Sequence, residues 1–143
     1  MTNINYLTLC IALIAITGCK TGQGNKPLQH ETGMFRIAIF YPGGENKTFD
    51  MAYYEKKHMP MVAGFIGKNL NFYEIDMGIA GRTSNDTAPF VAIGYFYILD
   101  VAEYNQAIAK NRDAIVSDFK NYTNIQPVIQ ISEIKKVGNK ESR

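Results

Sequence analysis

Residues 34–41 (MFRIAIFY) alternate with period two. Phe35, Ile37, Ile39 and Tyr41 share one face, and Met34, Arg36, Ala38 and Phe40 the other, which predicts a strand. Pro42-Gly43-Gly44 ends it. Asp50 is placed to cap a helix through about Lys57, because its carboxylate accepts from first-turn amides. Pro60 disfavours helical geometry at Met59, so a break or kink is expected at His58, with a short helix resuming over residues 61–66. A second strand is expected over residues 70–80, with Tyr73, Ile75, Met77 and Ile79 alternating against Phe72, Glu74, Asp76 and Gly78. The polar run 81–89 (GRTSNDTAP) reads as a loop. Residues 90–99 (FVAIGYFYIL) are apolar on both faces, as in a strand covered on both sides. Asp100 caps a helix expected over residues 101–119, with Val101, Tyr104, Ile108, Ile115 and Phe119 as its apolar stripe. The last strand is expected over residues 127–137, its proline at the first position, where no ladder donor is lost.

This order is β-α-β-β-α-β, an α+β ferredoxin-like unit with an antiparallel sheet. Its two helices cover one sheet face. The length left for the domain provides no third layer for the other face. A second copy of the chain is the expected cover, so a homodimer is predicted.

The N-terminus follows different rules. Residues 6–16 (YLTLCIALIAI) are almost wholly apolar but too few to cross a bilayer, which takes ~20 residues in a helix. With Gly18-Cys19 behind them they suit an export signal whose cut site precedes a cysteine, resembling the bacterial lipobox. The expected organisation is a signal peptide over residues 1–18, lipidation at Cys19 and a flexible tether over 19–33. A domain over 34–137 and a polar tail over 138–143 follow. The expected location is the cell envelope, anchored to a membrane through the lipid; Lys20 after the cysteine points to the outer membrane. The n-region departs from the usual pattern in having no Lys or Arg.

Composition narrows the chemistry. The chain carries 15 basic and 13 acidic residues, a net charge near +2, too weak and too evenly spread to indicate nucleic-acid binding. Its two cysteines are Cys10, inside the signal, and Cys19. The domain therefore has no thiol for catalysis, for zinc or for an iron–sulfur cluster. No phosphate loop and no nucleophilic triad appear. Three glycosylation acceptor patterns (at Asn46, Asn85 and Asn121) are read as chance in a chain with a lipobox.

Several segments together resemble the EthD family of dimeric α+β-barrel proteins. They are Phe40-Tyr41-Pro42, Phe49-Asp50-Met51-Ala52-Tyr53-Tyr54, His58-Met59-Pro60, Ala88-Pro89-Phe90-Val91-Ala92-Ile93-Gly94, and above all residues 121–134 (NYTNIQPVIQISEI). The resemblance spans nearly all of residues 34–134. It implies a ferredoxin-like fold and a dimer formed through the sheet. It also implies oxidoreductase, isomerase or cyclase chemistry on a small apolar or aromatic carbonyl compound. The chain departs from the family pattern in two places. Relatives commonly carry Gly-His in the third strand, where this chain has Gly94-Tyr95. They also carry a histidine in the second helix after an Ala-Pro pair, where this chain has Ala109-Lys110-Asn111.

The candidate residues follow. His58, the lone imidazole of the predicted domain, is either an acid–base group, with an ordinary pKa near ~6.5, or a structural residue at a helix end. Tyr95 stands where relatives carry histidine and is expected to polarise a substrate oxygen. Tyr54, Tyr97 and Arg36 are expected to contact substrate; core packing and a salt-bridge network across the dimer, with Glu74 and Asp76, are the competing readings. No metal site and no cofactor are expected, since one histidine without a clear carboxylate partner does not make a transition-metal site. The competing function is a non-catalytic binding or accessory lipoprotein that has lost the family's histidines.

Overall fold

The computed structural model describes residues 30–138. The signal, Cys19 and most of the tether lie outside them, as does the end of the polar tail. Four strands, β1 (Phe35–Pro42), β2 (Leu70–Met77), β3 (Phe90–Ile98) and β4 (Val128–Glu133), form one sheet in the order β2-β3-β1-β4. Every pairing is antiparallel. The helical segments α1 (Met51–Tyr53), α2 (Met59–Ile66), α3 (Val101–Lys110) and α4 (Arg112–Asp118) supply the rest. The fold is α+β and ferredoxin-like, as the sequence pattern predicts.

Side-chain parity follows the strand alternation. Ile37, Ile39 and Tyr41 of β1 and Ala92, Phe96 and Ile98 of β3 face the helices and form the main core with Tyr54, Met59, Val62 and Ile66. Met34, Phe72 and Tyr97 cluster on the opposite face, with Tyr95 and Ile134 against them. Asn69 is a buried polar hinge: its Oδ1 accepts from the amides of Leu99 and Asp100, and its Nδ2 donates to the Asp100 carbonyl. That ties the start of β2 to the cap of α3, where Asp100 accepts from the Glu103 amide at 2.8 Å.

The first helix differs from expectation at the proline. Met59 is helical (φ −63°, ψ −44°) despite preceding Pro60. The strain is absorbed one turn earlier, where residues Tyr54–His58 wind as a π-helix and the Met59 amide donates to the Tyr54 carbonyl five residues back. A proline ring collides with the carbonyl four residues before it, and a wider turn moves that carbonyl aside. The second helix is interrupted at Asn111, which ends α3; its Nδ2 donates to the Ala107 carbonyl at 2.8 Å. An asparagine that bonds its own backbone competes with the helical ladder.

Two strands stop short of their expected ends. β4 pairs only with β1, whose first residue Phe35 sits opposite Glu133; beyond it two backbone bonds remain, from the Ile134 amide to the Met34 carbonyl and from the Gly33 amide to the Ile134 carbonyl. β2 ends at Met77; one further bond runs from the Gly78 amide to the Val91 carbonyl, and Gly78 lies too close to the Phe90 carbonyl for any Cβ. At the other end, the last tether residues are held to the domain. The His30 ring stacks on Tyr97 (4.6 Å between centroids) and Phe72 (5.4 Å), and its Nε2 lies 3.3 Å from Glu74. No helix among the described residues is long and apolar enough to cross a membrane.

Candidate functional site

A cavity of about 70 Å³ lies between the helices and the sheet. Ile39 and Phe96 form its floor on the sheet, Tyr54 and His58 one wall, and Ile108 and Ile115 of the second helical pair the opposite wall. The volume is about half that of a ~150 Å³ apolar cavity that takes up benzene, so a ligand of five or six heavy atoms enters only as the lining isoleucine and methionine side chains move aside. No Lys, Arg, Asp or Glu lines it.

The backbone holds this corner together from both sides. The Asp50 amide donates to the Tyr122 carbonyl at 2.7 Å, Phe49 and Thr123 form a β-bridge, and Thr123 Oγ1 donates to the Thr48 carbonyl. The entry to α1 is thereby tied to the segment after α4. Asp50 also caps α1, accepting from the Tyr53 amide at 3.0 Å. The π turn that follows carries both buried residues of the wall, Tyr54 and His58.

His58 is 4% exposed and its Nδ1 lies 2.8 Å from Oδ2 of Asp118. The other carboxylate oxygen accepts from the Tyr53 hydroxyl and from Asn121 Nδ2, each at 2.8 Å. Burial acts to raise the Asp118 carboxyl, but the hydrogen bonds from His58, Asn121 and Tyr53 outweigh it and hold the group below its ordinary value. Asp118 is therefore ionised at neutral pH and only accepts, so Nδ1 carries the proton. Nε2 is left as the lone-pair nitrogen for a ligand. Burial lowers the His58 pKa, against the opposing pull of Asp118, and the ring is neutral at pH 7. A carboxylate that fixes the tautomer and orientation of an imidazole is the arrangement that makes histidine a directed base.

Around the dyad stand buried phenols. Tyr41 and Tyr122 share a hydrogen bond at 2.9 Å. The Tyr122 ring leans on His58 at 4.6 Å. Tyr54 is 0% exposed; its hydroxyl makes no well-aligned hydrogen bond and interacts with the Tyr41 hydroxyl. Burial raises all three phenols. The Tyr54 hydroxyl points at Gly94 on β3, where a Cβ would stand 2.1 Å from it.

The structure brings His58 and Tyr54 together and puts Tyr95, Tyr97 and Arg36 elsewhere. Tyr95 and Tyr97 lie on the other face of the sheet, so Tyr95 does not reach the cavity that His58 lines. Gly94, the neighbouring position, faces the helices and is covered by Tyr54 and Met59. The Arg36 guanidinium lies over the Tyr95 ring, 5.6 Å from its centroid, and its Nε is buried without a partner. Tyr97 donates to Glu74 at 2.7 Å, and burial together with that carboxylate pushes its phenol up to about 12. Burial, and then Asp76, raises Tyr95. Among the described residues no three His, Cys, Asp or Glu side chains converge to hold a metal.

Sequence reasoning missed Asp118. Its partner is sixty residues away, and its only local signal is an acid in the last turn of a helix, where the helix dipole disfavours negative charge. An acid in that position needs a compensating partner, and His58 is that partner.

No protein-family model and no curated protein matches the chain. Solved structures do. An EthD-family protein from Bacillus halodurans C-125 shares the fold at 16% identity and a TM-score of 0.54, over 70% of this chain and 97% of that one. An EthD-like protein from Ralstonia eutropha JMP134 is 35% identical with a TM-score of 0.70, over 79% of this chain and the whole of that one. With that identity over the full length of a relative, the chain belongs to the EthD-like family.

Proposed function

We propose that this protein is a lipid-anchored EthD-like protein whose helix-side cavity binds a small apolar carbonyl compound and moves a proton on it, with His58 as the base. The observation that carries the reading is the His58–Asp118 pair at 2.8 Å on the wall of an apolar cavity. In the step, the C–H bond next to the carbonyl breaks and its proton goes to His58 Nε2. The electron pair moves onto the carbonyl oxygen, giving an enolate. Where a C=C is conjugated to the enolate, return of the proton to its far carbon completes an isomerisation; alternatively the enolate carbon attacks a second carbonyl, whose oxygen takes the proton from His58 as the ring closes. Positioned proton transfer of this kind contributes on the order of 10²–10⁴ in rate.

Cyclopentanone in D₂O tests the step without knowledge of the natural substrate. Wild-type protein should accelerate deuterium uptake at the α-carbons, read by proton NMR, and His58→Ala should return the rate to that of solvent. Binding of cyclopentanone without any acceleration would favour the accessory-lipoprotein reading. That reading draws on the placement of Tyr95 across the sheet from the dyad, which leaves one imidazole at the cavity. Two further parts of the proposal concern assembly and location. The outer sheet face, with Phe40, Phe90 and Ile93 only half-buried, is the surface proposed to pair with a second copy. Cys19 is proposed to carry lipid; Cys19→Ser should release the protein from the membrane fraction, and wild-type protein found uncleaved in the cytosol would refute the anchor.

A further inference from the structure

We propose that residues 30–33 form a self-docking strap on the outer sheet face, and that the strap and a second copy of the chain are alternative occupants of that face. The inference rests on pairing through the outer face and adds what regulates it. The turn that makes the strap is built into the chain. Gly33 has φ +88°, a left-handed conformation that favours glycine, and the Met34 amide donates back to the Glu31 carbonyl at 3.3 Å. The Gly33 amide donates to the Ile134 carbonyl at 2.9 Å. The chain ahead of β1 is thereby folded back over the sheet instead of running on from it.

The fold-back seats His30 on the face. Phe72 of β2 and Tyr97 of β3 are cross-strand partners whose rings stack at 4.2 Å, and the His30 ring lies against both. One carboxylate joins the stack at its polar edge. Glu74 Oε2 accepts from the Tyr97 hydroxyl at 2.7 Å, and Oε1 lies 3.3 Å from His30 Nε2. The hold is specific but light. The side chains of His30 and Glu74 are 40% and 44% exposed, and a polar contact that open contributes little. Ring stacking carries the rest, and one such contact of about 1 kcal/mol favours the docked strap roughly fivefold.

Area decides that a partner does not share the face with the strap. Packed sheets lie ~10 Å apart, so one layer of interdigitating side chains fills the gap. His30 stands in that layer. Four strands of about eight residues present roughly 500 Å² in plan, at ~4.8 Å between strands and ~3.4 Å per residue. A stable interface takes about 800 Å² from each partner. Only the whole face, with the relief of its side chains, approaches that figure. The strap takes the end with Met34, Phe72 and Tyr97 and leaves the end with Phe40, Phe90 and Ile93. Pairing therefore requires both straps to leave, and each docked strap opposes it.

The test uses the full chain purified in mild detergent. It holds two histidines, so protein carrying ¹³C-labelled histidine gives one imidazole signal for His30 and one for His58, an unmoved reference on the helix side. In dilute monomer the His30 ring protons should show the upfield shift of a ring stacked on aromatic faces, and should cross-relax with Tyr97. As concentration rises through the dimer transition, followed by sedimentation velocity, that signature should fade in step. His30→Ala removes the stack and should tighten the dimer by roughly fivefold per strap, about 25-fold for the two. Gly33→Ala, which strains the turn, should act in the same direction. A stacked His30 signal that persists in the dimer, or a dimer constant that His30→Ala leaves unchanged or weakens, overturns the strap as competitor while pairing stands. An unstacked His30 in the monomer overturns it as well. If neither wild type nor His30→Ala pairs at any concentration reached, pairing and strap both fall.

Discussion

Gly94→Ala is the perturbation whose cost follows most directly from the geometry. The new Cβ would stand 2.1 Å from Tyr54 Oη and 3.2 Å from Met59 Sδ. Methionine yields easily. Tyr54 does not, because its ring is wedged among Tyr41, Phe49 and Tyr122 and its backbone lies in the π turn. Overpacking of this kind costs about 1–3 kcal/mol, and an overlap of more than ~1 Å belongs at the upper end. Replacing glycine within a strand returns up to about 1 kcal/mol of chain entropy. The net loss is about 2 kcal/mol, which lowers Tm by roughly 8–16 °C in a domain of this size. Tyr54→Phe alone should be close to neutral, because the buried hydroxyl it removes makes no well-aligned hydrogen bond. In the double variant the clashing atom is gone, so most of the loss should be recovered. Thermal and urea denaturation of the four proteins, followed by circular dichroism, measure the coupling. If Gly94→Ala melts with wild type, or the double variant simply sums the singles, Tyr54 Oη does not occupy the space opposite Gly94.

Asp118→Asn removes the charge that pulls the His58 pKa up, so the imidazole should titrate at still lower pH by ¹⁵N NMR, and cyclopentanone exchange should fall by on the order of 10²-fold. An unchanged titration would mean that the pair is not formed in solution. Stability should fall as pH drops below the unfolded histidine value of ~6.5, because the unfolded chain takes up the proton that burial denies to His58. His58→Gln should flatten urea-derived stability below about pH 6.5; a slope unchanged by the substitution would place the cause elsewhere. Ile93→Lys, on the outer sheet face, should convert a dimer to a monomer by light scattering; a wild-type monomer at micromolar concentration would refute pairing through that face.

The architecture was largely legible because its determinants are local. The alternation over β1, the caps Asp50 and Asp100 and the polar run before Phe90 each depend on neighbours within a few residues. Pro60 was legible as a disturbance, but not its form, since widening the preceding turn depends on what the turn packs against. The site was harder to read. Strand parity places Tyr95 opposite Gly94, yet both faces of β3 are apolar, so the pattern alone does not say which face meets the helices. The pairing of His58 with Asp118, and of the Tyr54 hydroxyl with the empty side of Gly94, joins residues that only the folded sheet brings together. His30 falls within the tether expected over residues 19–33, yet its ring lies on Tyr97 and Phe72, which come together only once the sheet has formed.

The central claim is that ligand chemistry belongs to the helix side of the sheet. Titration of the isotope-labelled protein with cyclopentanone, followed by side-chain and amide chemical shifts, tests it most directly. The account predicts that the shifts concentrate on Tyr54, His58, Ile108 and Ile115 and leave Arg36, Tyr95 and Tyr97 unmoved. Shifts centred on Arg36, Tyr95 and Tyr97 instead would move the site to the outer face and contradict the account.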